Sequence, residues 1–141
     1  MSTNDNDKIP GWDKSYSVGI ASFDEDHKKL FAIIDALMKA KGDTNELGAV
    51  IRAYNDLVDY ATCHFKSEED ALAAHGYPNL ESHRNDHNKF AHQLDSYSSM
   101  LDYGVVPPLP DMVSFITSWF RDHVMIHDKE YTRFLNENGL R

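Results

Sequence analysis

Eight histidines in a chain of 141 residues are the first sign of chemistry, because their spacing groups them. His64 and Glu68 are four residues apart, as are His83 and His87, and on a helix that spacing turns both members of each pair to one face. His27 stands three residues before Leu30 on an apolar stripe. A lone histidine on such a stripe is ordinarily a hydrogen-bonded core residue. Several together make different demands: each buried imidazole needs partners for both ring nitrogens, and a buried charge without a partner is neutralised or expelled. Neutral imidazoles and carboxylates converging in one apolar core meet those demands jointly by holding a metal ion.

The C-terminal segment offers a choice. His123 and His127 are the pair that i, i+4 spacing picks, yet the apolar stripe that runs up to His123 resumes at Asp128, Tyr131 and Leu135, one residue late. An inserted π-bulge produces that delay. Five residues span ~140° on a regular helix, so His123 and Asp128 share a centre only if the backbone widens between them. The expectation is therefore a distorted fourth helix.

The elements that must position these groups are legible from their periods. Ser22 with Glu25, and Asp43 with Glu46, read as capping boxes. After the first, Leu30, Phe31, Ile34, Leu37 and Met38 recur at helical spacing until Gly42; after the second, Leu47, Val50, Ile51, Tyr54, Leu57, Val58, Ala61 and Phe65 hold one stripe until Gly76 and Pro78. From about Leu80, the positions Leu80, His83, His87, Phe90, Leu94, Tyr97 and Leu101 form a regular seam. Beyond Tyr103-Gly104 and the prolines 107, 108 and 110, a fourth segment carries Met112, Phe115, Ile116, Trp119, Phe120 and His123, then Tyr131, Phe134 and Leu135. Strand patterns are absent. Four long amphipathic helices with short connections predict an all-α fold, an antiparallel up-down-up-down four-helix bundle over residues 12–141, preceded by a flexible N-terminal arm over 1–11.

Composition narrows the function. Fourteen Lys and Arg against 23 Asp and Glu give a formal charge of −9, which opposes a phosphate-backbone partner and argues against nucleic-acid binding. At 41% hydrophobic and 26% charged residues the chain is of globular type. Cys63 alone can form neither an internal disulfide nor a CxxC zinc site, and reads as a small buried apolar group in a reducing compartment. No apolar run approaches the ~18 residues of a membrane span, and the first residues lack a secretory pattern, so a cytoplasmic protein without membrane insertion is expected. His75, beside Gly76, reads as a helix C-terminal group, while His92 lies off the seam and His127 beyond the bulge; all three are expected at the surface or behind the ligands. Glu69 and Asp122 adjoin candidate ligands but point about one helical step away.

These residues resemble the haemerythrin family, and in particular its bacterial single-domain members. Ser17 to Phe31 (SVGIASFDEDHKKLF) resembles the family's first-helix motif, His64 to Glu69 (HFKSEE) its HFxxEE, His83 to His87 its HxxxH, and Trp119 to Tyr131 its HxxxxD followed by Tyr. The resemblance implies a non-haem di-iron centre with an oxo or hydroxo bridge. His83, His87 and His123 would hold one iron and His27 and His64 the other, with Glu68 and Asp128 bridging both. With two six-coordinate irons such a set leaves one position open, on the His27–His64 iron. In the family that position takes up dioxygen as a hydroperoxide, with electrons from the two irons. Phe65, Trp119 and Phe120 would line the ligand pocket, their apolar rings slowing proton and water access; ordinary core packing accounts for them equally well. The resulting expectation is reversible dioxygen binding by an oxygen carrier, store or delivery protein with no dedicated catalytic residue. The competing readings are an oxygen, redox or iron sensor acting through a partner, and a di-iron peroxide or nitric oxide reductase. Zinc or another ion is the competing occupant of the pocket.

Overall fold

The computed structural model describes Trp12 and residues 16–141, apart from the side chains of Met125 and His127. The arm expected over residues 1–11 lies outside the described residues. Three long helices, α1 (Ala21–Ala40), α2 (Glu46–Ala74) and α3 (Leu80–Asp102), are followed by a fourth rod made of α4 (Leu109–Trp119), a π-helical segment (Phe120–Asp128) and α5 (Lys129–Glu137). The connections 41–45, 75–79 and 103–108 are too short for anything but antiparallel neighbours. The expected all-α four-helix bundle is what forms, with no strand among the described residues.

Each rod buries most of the stripe that its period predicts, although Met38, expected on the first stripe, is 51% exposed near the end of α1. On α1 the buried face includes Phe23, His27, Leu30, Ile34 and Leu37, and on α3 it is His83, His87, Phe90, Leu94 and Tyr97. α1 packs on α2 and α4, while α2 also packs on α3 and α5. Phe90 of α3 joins the fourth rod through Phe115, whose ring is stacked 5.5 Å away, and Trp119, at 4.5 Å. Gly76 and Gly104 follow the ends of α2 and α3 with φ of +69° and +73°, a left-handed conformation that ends a helix without a Cβ clash.

Neither expected capping box forms. α1 begins at Ala21, one residue ahead of Ser22, with Ile20 in the cap position and no side-chain cap. Burial fixes this boundary: Val18 and Ile20 are each 1% exposed, so the chain is anchored in the core before the hydroxyl is reached. Asp24 instead reaches back, accepting from the Val18 N–H at 2.8 Å and the Ser17 hydroxyl at 2.5 Å. At α2 the cap is Asn45, which accepts from the Gly48 N–H at 3.0 Å, while Asp43 accepts from the Asn45 N–H at 2.8 Å. Cys63 is exposed, contrary to expectation. One residue is ~100° on a helix, so turning His64 inward carries its predecessor to the surface. No helix of the described residues is long and apolar enough to cross a membrane.

The fourth rod widens where the stripe slipped. The π-helical segment turns Phe120, His123, Val124 and Asp128 inward, whereas Ile126 is pushed out to 55% exposure. A π turn is rarer and less well packed than an α turn, and it recurs at functional sites.

Candidate metal centre

All four rods contribute to one buried cluster. His27 comes from α1, His64 and Glu68 from α2, His83 and His87 from α3, and His123 and Asp128 from the π-helical segment. His27, Glu68 and Asp128 are fully buried and the other four nearly so. Two groups are suited to an ion each: Glu68, His83, His87 and His123, and His27, His64, Glu68 and Asp128, with the ligand-type atoms of each group within 4.8 Å of one another. Glu68 belongs to both. Its Oε1 lies 3.3 Å from His64 Nε2, 3.2 Å from His87 Nε2 and 3.7 Å from His83 Nε2. Asp128 also faces both ways, with Oδ1 3.2 Å from His123 Nε2 and 3.5 Å from His83 Nε2, and Oδ2 3.7 Å from His27 Nε2.

Five of these atoms are unsatisfied by the protein itself. Glu68 Oε1, His83 Nε2, His87 Nε2 and both Asp128 oxygens are buried with no hydrogen-bond partner among the described residues, a cost that a shared ligand for them would relieve. His27 Nε2 and His64 Nε2 are 3.0 Å apart, the separation that two imidazoles about 2.1 Å from one ion reach at a right angle. The donor set fits a pair of divalent ions of the imidazole-and-carboxylate class. Electrostatics agree. Burial and the adjacent Glu68 push the Asp128 carboxyl well above the usual carboxylate range. Burial drives His27 down to about 3. For His64, burial is overcome by Glu68 and Asp26, and its pKa is raised to about 9. The cluster thus holds protons where cations would relieve it.

Behind the cluster stands a ring of carboxylates that the sequence reading reached only in part. His64 Nδ1 donates to Asp26 at 2.9 Å and His87 Nδ1 donates to Glu69 at 2.9 Å, while His123 Nδ1 is 3.5 Å from Asp86. Each carboxylate is the sequence neighbour of a candidate ligand on its own helix and serves a histidine on the next rod, from α1 to α2, α2 to α3 and α3 to the π-helical segment. Such partners fix the tautomer that leaves Nε2 facing an ion and raise its basicity. Arg84 holds Glu69 in turn, at 3.2 Å. Tyr131 donates to Glu68 Oε2 in a short hydrogen bond, fixing the shared carboxylate from α5.

The aromatic candidates divide between the two groups. Phe65 stacks on His87 at 3.9 Å and Trp119 on His123 at 4.4 Å, whereas Phe120 meets His27 edge-on at 5.9 Å. Around His64, sequence reasoning missed Phe23, edge-on at 5.6 Å, and Tyr60, stacked at 5.3 Å. Of the remaining histidines, His75 is the C-cap of α2, with Nδ1 donating to the Ala71 carbonyl at 2.8 Å, and His92 is exposed. The His127 side chain lies outside the described residues. Asp122 is exposed.

Comparison with known proteins agrees with this arrangement. The sequence model described as "Hemerythrin HHE cation binding domain" matches residues 18–135. A protein of Clostridium acetobutylicum named "Bacteriohemerythrin" is 30% identical over 124 residues, covering 85% of this chain and 96% of that protein. A "Hemerythrin-like protein" of Naegleria gruberi is 33% identical over 120 residues, covering 85% and 88%. The solved structure "Crystal structure of hemerythrin:wild-type" superposes with a TM-score of 0.81 at 23% identity over 91% of this chain and 98% of that one, which speaks to the fold. With a family match across nearly the whole bundle and a buried cluster fitted to two cations, this chain belongs to the haemerythrin family.

Proposed function

We propose that the protein holds two irons bridged by Glu68, Asp128 and an oxide or hydroxide, and reversibly binds dioxygen at the His27–His64 iron as a carrier, store or delivery protein. The observation that carries the reading is an inequality between the two groups. One has three imidazoles and the other two, while Glu68 and Asp128 each face both groups, so a coordination position on the His27–His64 side is left for an exchangeable ligand. When bound, the iron pair supplies the two electrons and the vacant position that dioxygen uptake requires.

The chain's own residues suit binding over oxygen activation. Five neutral imidazoles give less charge to the metals than the glutamate-rich sets of ferritin-like di-iron proteins, which disfavours higher oxidation states. Phe120, Phe31 and Tyr16 form an aromatic wall on the His27 side, with Phe120 5.0 Å from Phe31 and 5.7 Å from Tyr16. Such a wall keeps out water and the protons that would drive oxidation of the metals. Tyr131 holds Glu68 still, so that the shared carboxylate does not swing between modes as ligands exchange.

The test is optical. Iron-loaded, reduced protein is carried through anaerobic buffer, oxygen exposure and oxygen removal while visible absorption is recorded and iron is counted per chain. Two irons and a charge-transfer band that appears and disappears with oxygen are expected. A band that forms once and decays to a stable oxidised state would overturn carriage.

A further inference from the structure

Tyr60 lies one helical turn before His64 on α2. Its ring stacks on the His64 imidazole with centroids 5.3 Å apart and planes 14° from parallel. It is 6% exposed, and its hydroxyl is buried with no hydrogen-bond partner among the described residues. Two other tyrosines of the bundle place their hydroxyls differently: Tyr54 donates to the Leu94 carbonyl at 3.0 Å and Tyr131 to Glu68. A phenylalanine at position 60 would stack on His64 without burying an unpaired donor, so packing accounts for the ring and not for the oxygen. The hydroxyl is therefore a buried donor without a protein acceptor among the described residues, carried by a ring that lies against a histidine of the group that is one imidazole short.

The geometry points to the Tyr60 hydroxyl as a hydrogen-bond donor to the small acceptor ligand bound on the His27–His64 side, a positioning residue that slows the ligand's release. This inference rests on the ligand site proposed above. In the resting chain the donor is idle; the incoming ligand supplies its acceptor, and the hydrogen bond is formed only in the bound state.

The experiment compares full-length wild type with Tyr60→Phe, both metal-free and iron-loaded. In the metal-free chains, Tyr60→Phe removes an unpaired buried hydroxyl, so its thermal midpoint rises by about 3 °C. A fall would mean that the hydroxyl has a partner in the resting fold and would overturn the inference. In the oxidised, iron-loaded chains azide is the probe: its release from Tyr60→Phe is about tenfold faster at equal iron content, as expected for the loss of one good hydrogen bond. The shift of the azide vibration between H2O and D2O, present in the wild type, disappears. Equal release rates would overturn the donor role. Dioxygen release is then timed on the same two reduced proteins. If the wild type binds oxygen reversibly and Tyr60→Phe changes neither release rate, the role of Tyr60 fails while the oxygen reading stands. If azide shows the tenfold effect but the wild type takes up no oxygen reversibly, the oxygen reading fails while Tyr60 keeps its role.

Discussion

At the scale of single residues, Glu68 and Asp128 carry the centre, because each faces imidazoles of both groups. Replacing either by Ala removes a shared ligand. Under the di-iron reading proposed above, iron retention is expected to fall far below two per chain, measured by metal analysis after gel filtration. His127→Ala is expected to keep full iron; loss of one iron there would restore the i, i+4 pair as the ligands. Asp26→Ala leaves His64 without the acceptor for its Nδ1 proton, and metal affinity should drop about 10–100-fold, measured by competition with a chromophoric chelator. The histidines also predict a pH dependence. His64 in the metal-free chain is raised from 6.5 to about 9. Its protonation stabilises that state fully below pH 6.5, and the contribution is lost as pH rises through about 9. A metal ion must displace the same proton. Loading near pH 7 therefore releases protons, and the difference in thermal midpoint between loaded and metal-free protein widens from pH 6.5 to 9, readable by calorimetry across that range.

At the scale of elements, the π-helical segment is the informative piece. It inserts one residue between His123 and Asp128 and displaces Ile126 outward. Deleting Ile126 restores a regular helix with the same stripe, because His123 and the aspartate then become i, i+4. The expected result is a metal-free bundle that melts no lower than the wild type, together with weaker metal binding, since the widened turn aims Asp128 at both groups. Equal metal affinity in the deletion would make the bulge incidental. Circular dichroism melting and metal titration of the two proteins decide between these outcomes.

At the scale of the whole molecule, the apolar stripes and the cluster are separable sources of stability. Leu57 is fully buried, and Leu57→Ala should cost about 2–5 kcal/mol whether or not metal is present. The cluster contributes only when loaded. Each ion at ~1,000 times its dissociation constant adds about 4 kcal/mol, or roughly 10 °C for a chain of this size, and a pair adds about twice that. Chelation should lower the midpoint by that amount while leaving the helix content largely intact; collapse to an unfolded chain would mean that the core cannot hold the bundle alone.

The sequence by itself determined the helices and most of the cluster. A stripe at 3.6-residue period can be buried only as a helix, and His64 with Glu68, or His83 with His87, must then share a face, whatever they pack against. The one-residue slip between His123 and Asp128 likewise announced the widened turn, since a helix cannot otherwise keep both on its buried side. Helix starts escaped this reasoning: Ser22 and Asp43 are good caps locally, but Val18 and Ile20 anchor the chain in the core, and Asn45 lies nearer the first turn of α2. Only the tertiary structure decided how the rods address one another. Asp26 serves His64, Glu69 serves His87 and Asp86 lies behind His123, pairings that depend on the rotation and axial height of two helices together. No period along one chain segment encodes that relation. The same holds for Tyr60, whose stacking on His64 follows from helical spacing but whose unpaired hydroxyl depends on what the other three rods bring, or fail to bring, within reach.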